Sequence, residues 1–183
     1  MVMCRYELDE PSADGRLKAA WRSLLAAGLV VLMCAGIAAA QSWEEYVDPE
    51  YGHSFQIPGD QFQEVSNEDG RLIFEDVSGD ARIAAYQGEI PVGTGLAKIE
   101  ELVASADWIR NITYRAGGNS WFVLSGHYLR DREDADPTIF YFKAMLNAER
   151  TRYSAIEISY PRSRKAEFDP VVTRIEKSLR APR

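Results

Sequence analysis

Cysteine, histidine and net positive charge are all scarce in this 183-residue chain. Its two cysteines, Cys4 and Cys34, both precede residue 41, so the body that follows contains no thiol. That excludes cysteine nucleophiles, zinc-thiolate centres, iron–sulfur clusters and disulfide staples from residues 41–183. Only two imidazoles, His53 and His127, offer base or metal-ligand chemistry. Acidic side chains number 28 against 21 basic ones, for a net charge of −7. Residues 1–40 carry four of each sign, so the remainder keeps the whole negative balance. Nucleic acid is thereby disfavoured as a partner, because phosphate binding needs clustered positive charge. The spacing of Gly88, Gly93, Gly95, Gly117 and Gly118 matches neither a P-loop nor a dinucleotide fingerprint. Neither low-complexity linkers nor internal repeats divide the chain, and residues 41–183 make one domain's worth of length.

What is present begins with a leader. Arg16, Lys18 and Arg22 precede Leu24–Ala40, a run without charged or hydrogen-bonding side chains. Ala38, Ala39 and Ala40 supply the small residues a signal peptidase reads, so residues 1–40 are expected to be an export signal with Gln41 first in the mature chain. The competing reading is an uncleaved anchor, since 17 apolar residues reach the short edge of a bilayer span. Lipidation at Cys34 is disfavoured by Met33, where a small residue is wanted. Both main readings place residues 41–183 outside the cytoplasm, in a bacterial periplasm or secreted.

The body alternates short apolar runs with turn residues. Strands are expected at Trp43–Tyr46, Ser54–Ile57, Arg71–Glu75, Arg82–Tyr86, Ile109–Arg115, Trp121–Leu124 continuing to Tyr128, Ile139–Leu146 and Tyr153–Tyr160. Trp121–Leu124 is apolar at consecutive positions and is expected to be a central strand covered on both faces. In Tyr153–Tyr160, Ile156, Ile158 and Tyr160 are expected inward, with Ala155, Glu157 and Ser159 outward. Leu96, Ile99, Leu102, Val103 and Ala106 recur at helical spacing, with Thr94 as the expected cap. Phe168, Val171, Val172, Ile175 and Leu179 mark a second helix, which Asp169 and Pro170 are expected to open as N-cap and first residue. Strands, helix, strands, helix read as an α+β fold, an antiparallel β-sheet with helices packed on its faces.

Tyr51-Gly52-His53-Ser54-Phe55-Gln56-Ile57-Pro58 resembles the opening hairpin of the PsbP-like family, which groups with the Ran-binding Mog proteins. The helix after Thr94, Ile112-Thr113-Tyr114, Trp121 to Gly126, Ile139-Phe140-Tyr141, Tyr160-Pro161 and the Asp169-Pro170 helix are similar in order and spacing. The likeness extends to small exported alphaproteobacterial proteins of unknown function. It implies a PsbP-like α/β/α sandwich and an accessory or binding role. It carries no functional residues, because the matching positions are turns and core.

Candidate chemistry is thin. Asp131, Glu133, Asp134 and Asp136 crowd oxygen donors into one loop, as a weak calcium site would. The same loop fails an EF-hand pattern at Ala135, Asp136 and Phe142, and a solvated hairpin tip explains it as well. His53 and His127 are too far apart in sequence for a helical zinc pair, and buried or exposed structural histidines are commoner than ligands. Ser125-Gly126 lacks the preceding glycine of a nucleophile elbow, since Val123 stands there. Arg150, Arg152, Arg162, Arg164 and Lys165 form the main basic concentration, which could meet an anionic surface. The expectation is therefore a non-catalytic extracytoplasmic accessory domain, without a cofactor, that binds a protein or small ligand. It would touch membrane only through an uncleaved N-terminal segment. An envelope hydrolase using His53 or His127 with carboxylates, and a cation binder at Asp131–Asp136, are the rival readings.

Overall fold

A computed structural model describes residues 41–50, 52–68, 71–91, 93–105, 110–129 and 136–183. The expected leader and the loop residues Asp131, Glu133 and Asp134 lie outside them. No helix among the described residues is long and apolar enough to cross a membrane.

A hairpin comes first: β1 (Trp43–Val47) pairs with β2 (Ser54–Pro58), in the register Trp43–Pro58 to Val47–Ser54. Its turn is closed by Asp48, whose carbonyl accepts from Gly52 N at 3.0 Å while its own N–H donates to His53 O at 2.9 Å. Gly52 sits at φ +67°, where a side chain would be strained. The other strands are β3 (Phe62–Glu68), β4 (Arg71–Asp76), β5 (Arg82–Glu89), β6 (Arg110–Gly117), β7 (Trp121–Tyr128), β8 (Thr138–Leu146) and β9 (Arg152–Pro161). They form one antiparallel sheet in the order β3-β4-β5-β9-β8-β7-β6. Helix α1 (Leu96–Ala104) covers one face. Helix α2 (Lys165–Ser178) and the first hairpin cover the other.

The antiparallel α+β expectation holds, and several details differ. β3 has no counterpart among the expected strands. Its polar sequence, with Val65 exposed and a register shift between Glu64 and Ser66, suits an edge that should not recruit another strand. β7 is buried on both faces at Phe122, Val123 and Leu124, yet it is the penultimate strand. The middle position belongs to β9. Its periodicity misleads because the residues expected outward, Ala155 and Glu157, lie beneath α1 and are buried.

On the first face, Phe55 and Ile57 from β2 meet Phe168, Val171, Val172 and Ile175 from α2 above Leu72, Phe74, Ile83, Ile156 and Ile158. Phe168 is fully buried, stacked on Tyr160 at 4.8 Å and edge-on to Phe62 at 6.2 Å. Truncating such a side chain to Ala costs about 3–5 kcal/mol. That anchor explains why α2 starts earlier than expected. Phe168 reaches the core from the first helical turn, so Pro170 falls inside the helix rather than opening it. The proline leaves one carbonyl without its usual donor, while Arg164–Glu167 and Lys165–Asp169 ion pairs hold the first turn. The second face gathers Phe122, Leu124, Phe140, Phe142, Ala144 and Ala155, with Leu96, Ile99 and Val103 of α1 packed less completely against them. Gly95, not Thr94, occupies the α1 N-cap, and no side chain caps it.

Candidate functional site

The incomplete packing of α1 leaves an opening against the sheet. Small side chains occupy the sheet under the helix: Ala84 lies opposite Glu157 across β5 and β9, and Ala144 lies opposite Ala155 across β8 and β9. Between Lys98, Ile99, Leu102 and Val103 of the helix and Tyr86, Phe142, Tyr153 and Glu157 of the sheet lies a hollow of about 620 Å³. That volume lies within the roughly 300–1,000 Å³ typical of small-molecule sites. Tyr86, Phe142 and Tyr153 supply aromatic walls, and Ile90, Pro91, Ile99, Leu102 and Val103 supply aliphatic ones. The Tyr86 and Phe142 rings stand 6.2 Å apart, inclined by 41°. Tyr153 lies across Gly88, where an added Cβ would come 3.0 Å from its ring. Glycine at 88 therefore sets the height of that wall.

One carboxylate lies in this lining beneath the helix. Glu157 is 7% exposed, sits directly opposite Phe142, and accepts a hydrogen bond from the Tyr128 hydroxyl across β8. Burying an ionised carboxylate is costly unless hydrogen bonds or opposite charge compensate it. Glu89, Thr94 and Lys98 add further polar groups to the lining, and Lys98 is paired with Glu101 at 2.9 Å.

The two histidines are separate. His53 is 2% exposed, stacked within 5° of the Phe55 plane, and neither of its ring nitrogens has a hydrogen-bond partner. Burial pushes its pKa below the ordinary histidine value, against an opposing pull from the Asp48 charge. Asp48 itself accepts from Glu50 N at 3.0 Å and Gln87 Nε2 at 2.8 Å. The cavity beside His53 measures only about 10 Å³, too small for a substrate. His127 lies elsewhere, in a groove of about 390 Å³ with Thr113, Ser125, Pro137, Ile139, Arg162 and Lys165. Its Nε2 is 3.1 Å from Asn111 Nδ2, and no carboxylate lines that groove among the described residues. Ser125 shares the groove, but the strand runs straight through it, without the sharp turn of a nucleophile elbow. Gly126 answers to a β-bulge: a Cβ there would stand 1.9 Å from Asn111 O.

Among the described residues, no three His, Cys, Asp or Glu side chains are placed to hold a metal. Of the acidic loop, Asp136 is described, and its Oδ2 accepts from Ser163 N at 3.0 Å and Ser163 Oγ at 2.5 Å. The basic concentration is divided by the strand between its parts. Arg152 opens β9 and Arg162 follows its far end, about 30 Å away at the usual rise per residue. Arg164 is tied to Asp76 at 2.5 Å and to Glu167 at 2.7 Å. Asp76 also accepts from Ser78 Oγ at 2.7 Å and from Asp80 N and Ala81 N, each at 3.0 Å. Burial alone would raise the Asp76 pKa, but these donors hold it below the usual carboxylate range.

The aromatic hollow and Glu157 were not singled out from sequence. A usable signal existed in the α1 stripe of Leu96, Ile99 and Val103, which needs a sheet face opposite it.

A seven-stranded antiparallel sheet between two helical layers defines an α+β fold of the PsbP and Mog1 kind, and solved structures show the likeness directly. Cyanobacterial PsbP (CyanoP) from Synechocystis sp. PCC 6803 matches with a TM-score of 0.59 and 15% identity, covering 80% of this chain and 96% of that one. The Ran-binding protein Mog1p of Saccharomyces cerevisiae matches with a TM-score of 0.56 and 8% identity, over 77% of this chain and 96% of its own. LpqN of Mycobacterium tuberculosis, described as involved in cell envelope biogenesis, matches with a TM-score of 0.54 and 11% identity, over 82% and 97%. At these identities the likeness is one of fold. No protein-family model matches the chain, and no curated protein sequence matches it significantly.

Proposed function

We propose that residues 41–183 form a non-catalytic accessory domain outside the cytoplasm, which works by binding a ligand in the hollow under α1. The observation that carries this reading is the hollow's chemistry: aromatic and aliphatic walls around one buried carboxylate, with no nucleophile–base pair among its described lining residues. Hydrolysis needs a positioned base beside a nucleophile or an activated water. His53 is sealed, and His127 faces a groove without a carboxylate among the described residues. The leader expected over residues 1–40 supports the extracytoplasmic location, as does the likeness in fold to a protein described as involved in cell envelope biogenesis. One of the similar folds belongs to a protein named as Ran-binding, which supports a protein partner for the domain as a whole.

A panel of ester, phosphate, peptide and glycoside substrates tests the absence of catalysis. No turnover is expected. Turnover that vanishes in His127→Ala or His53→Ala, with the melting temperature unchanged, sinks the reading. Fractionation of cells producing the full chain tests location, with recovery in the cytoplasm as the refuting result.

A further inference from the structure

We infer that the groove between β7 and the start of α2 is a second binding site, for a soluble phosphate monoester with an apolar or aromatic body. The inference goes beyond the reading above and does not depend on what the hollow under α1 holds. It gives a role to Ser125-Gly126, His127 and Arg162, which the hollow does not use.

The backbone builds the floor. The β6–β7 register shifts between Ile112 and Tyr114, so Thr113 and Tyr114 together stand opposite Ser125. A bulge of this kind re-aims a side chain, and here Thr113 joins Ser125 in lining the groove. Gly126 permits the bulge, because any side chain there would run into the Asn111 carbonyl.

The donors around this floor can take a ligand. Arg162 gives its backbone N–H to Pro137 O at 2.8 Å, but its guanidinium has no partner among the described residues. The Ser125 hydroxyl is likewise unpaired among them. Asn111 Nδ2, which can only donate, lies 3.1 Å from His127 Nε2, so the ring proton sits on Nδ1 and supplies a further donor. Lys165 is paired with Asp169 one helical turn on, but the two are 56% and 50% exposed, and such a pair in water holds weakly. No carboxylate lines the groove among the described residues.

That donor set selects the ligand. Two cations, an imidazole and two hydroxyls suit a tetrahedral dianion with three terminal oxygens, whereas a carboxylate has two oxygens to share among them. The groove measures about 390 Å³, against roughly 30 Å³ for each water-sized group, so a phosphate alone leaves it part empty. Pro137 and Ile139 offer an apolar wall to the rest of the molecule, and the exposed Tyr114 ring beside Ser125 offers a surface for a planar one. The chain's net charge of −7 repels a polyanion or an anionic membrane more than a single phosphate group, which favours a free small molecule.

Calorimetric titration of the full chain with phenyl phosphate, inorganic phosphate and phenylacetate tests the assignment, beside co-sedimentation with phosphatidylcholine vesicles containing phosphatidic acid. Phenyl phosphate is expected to bind at least about tenfold tighter than phenylacetate, with inorganic phosphate between them. Arg162→Gln, at an exposed position, is expected to weaken phenyl phosphate about tenfold or more at an unchanged melting temperature. Ser125→Ala is expected to weaken it about fivefold. Tyr114→Ala is expected to weaken phenyl phosphate and leave inorganic phosphate as it was. Equal binding of phenylacetate and phenyl phosphate overturns the phosphate assignment. No binding of phenyl phosphate overturns the site, as does binding that Arg162→Gln and Ser125→Ala both leave unchanged. Sedimentation with phosphatidic acid vesicles in place of free-ligand binding overturns the soluble ligand. All three results leave the non-catalytic reading of the domain and its hollow standing, since only substrate turnover refutes that.

Discussion

Replacing His53 by Leu is expected to abolish most of the fall in stability that this protein shows between pH 7 and pH 5. The imidazole is sealed between Phe55 and Tyr46, and both nitrogens lack partners. A buried polar group without a hydrogen bond costs about 1–3 kcal/mol, and an offset aromatic contact returns about 0.5–1.5 kcal/mol. At pH 7.5, His53→Leu is therefore expected to lie within about 1 kcal/mol of the parent, on the stable side. Acid separates them. The unfolded chain takes up a proton near pH 6.5, while the folded body, its His53 pKa lowered by burial, resists protonation. The unfolded state thus binds more protons below pH 6.5. The stability associated with neutral His53 is complete above that pH and falls by up to about 1.4 kcal/mol per unit below it, until the folded pKa is reached. Asp48, the charge acting on the ring, moderates the effect, and Tyr46 stays neutral throughout this range because burial raises its pKa further. Asp76 and Glu167 have lowered pKa values, so their contribution is complete above the ordinary carboxylate range and is lost only as the pH falls through and below about 4.5, mostly beneath the His53 window. Urea unfolding of both proteins at half-unit pH steps measures the difference. A gap between parent and variant that stays constant from pH 7.5 to pH 5 would refute the reasoning.

Three other perturbations probe the frame. Asp76→Ala strips acceptors from Asp80 N, Ala81 N, Ser78 and Arg164 at once; a loss of about 3–5 kcal/mol is expected in denaturant titration, and a loss under about 1 kcal/mol would contradict the turn's assigned role. Gly126→Ala drives a methyl group into Asn111 O, so a destabilisation on the order of 3 kcal/mol should appear as a lower melting temperature. Arg150 holds φ +59° in the turn between β8 and β9, and Arg150→Gly is expected to stabilise by about 0.5–1 kcal/mol, read as a shifted urea midpoint at unchanged slope.

Residue patterns announced much of the architecture, and the failures have physical causes. Trp43–Tyr46, Ser54–Ile57, Arg71–Glu75 and Arg82–Tyr86 fall on observed strands because each is a short β-prone run bounded by turn residues. β3 escaped because an exposed edge gains nothing from apolar alternation; Phe62 is its one residue in the core. Asp169-Pro170 looked like a helix start because local capping rules favour it, but burial of Phe168 outweighs a missing hydrogen bond. The binding hollow was the least readable feature. Its walls come from β5, β8, β9, α1 and the segment before α1, and single-strand alternation cannot show that Glu157 lies beneath a helix. His53 and His127 drew notice for their chemistry, yet the fold separates them and encloses the former.

The first hairpin of the body is covered by its last helix. Phe55 and Ile57 find their partners on Phe168 to Ile175, while Ser54 and Gln56 are held by Arg180 and Ser178. More than a hundred residues must therefore leave the ribosome before this layer can close, a delay of about 5–20 s at ordinary synthesis rates. Until the carboxyl-terminal helix emerges, the nascent polypeptide cannot lock this layer, and Phe55 and Ile57 stay without their apolar cover.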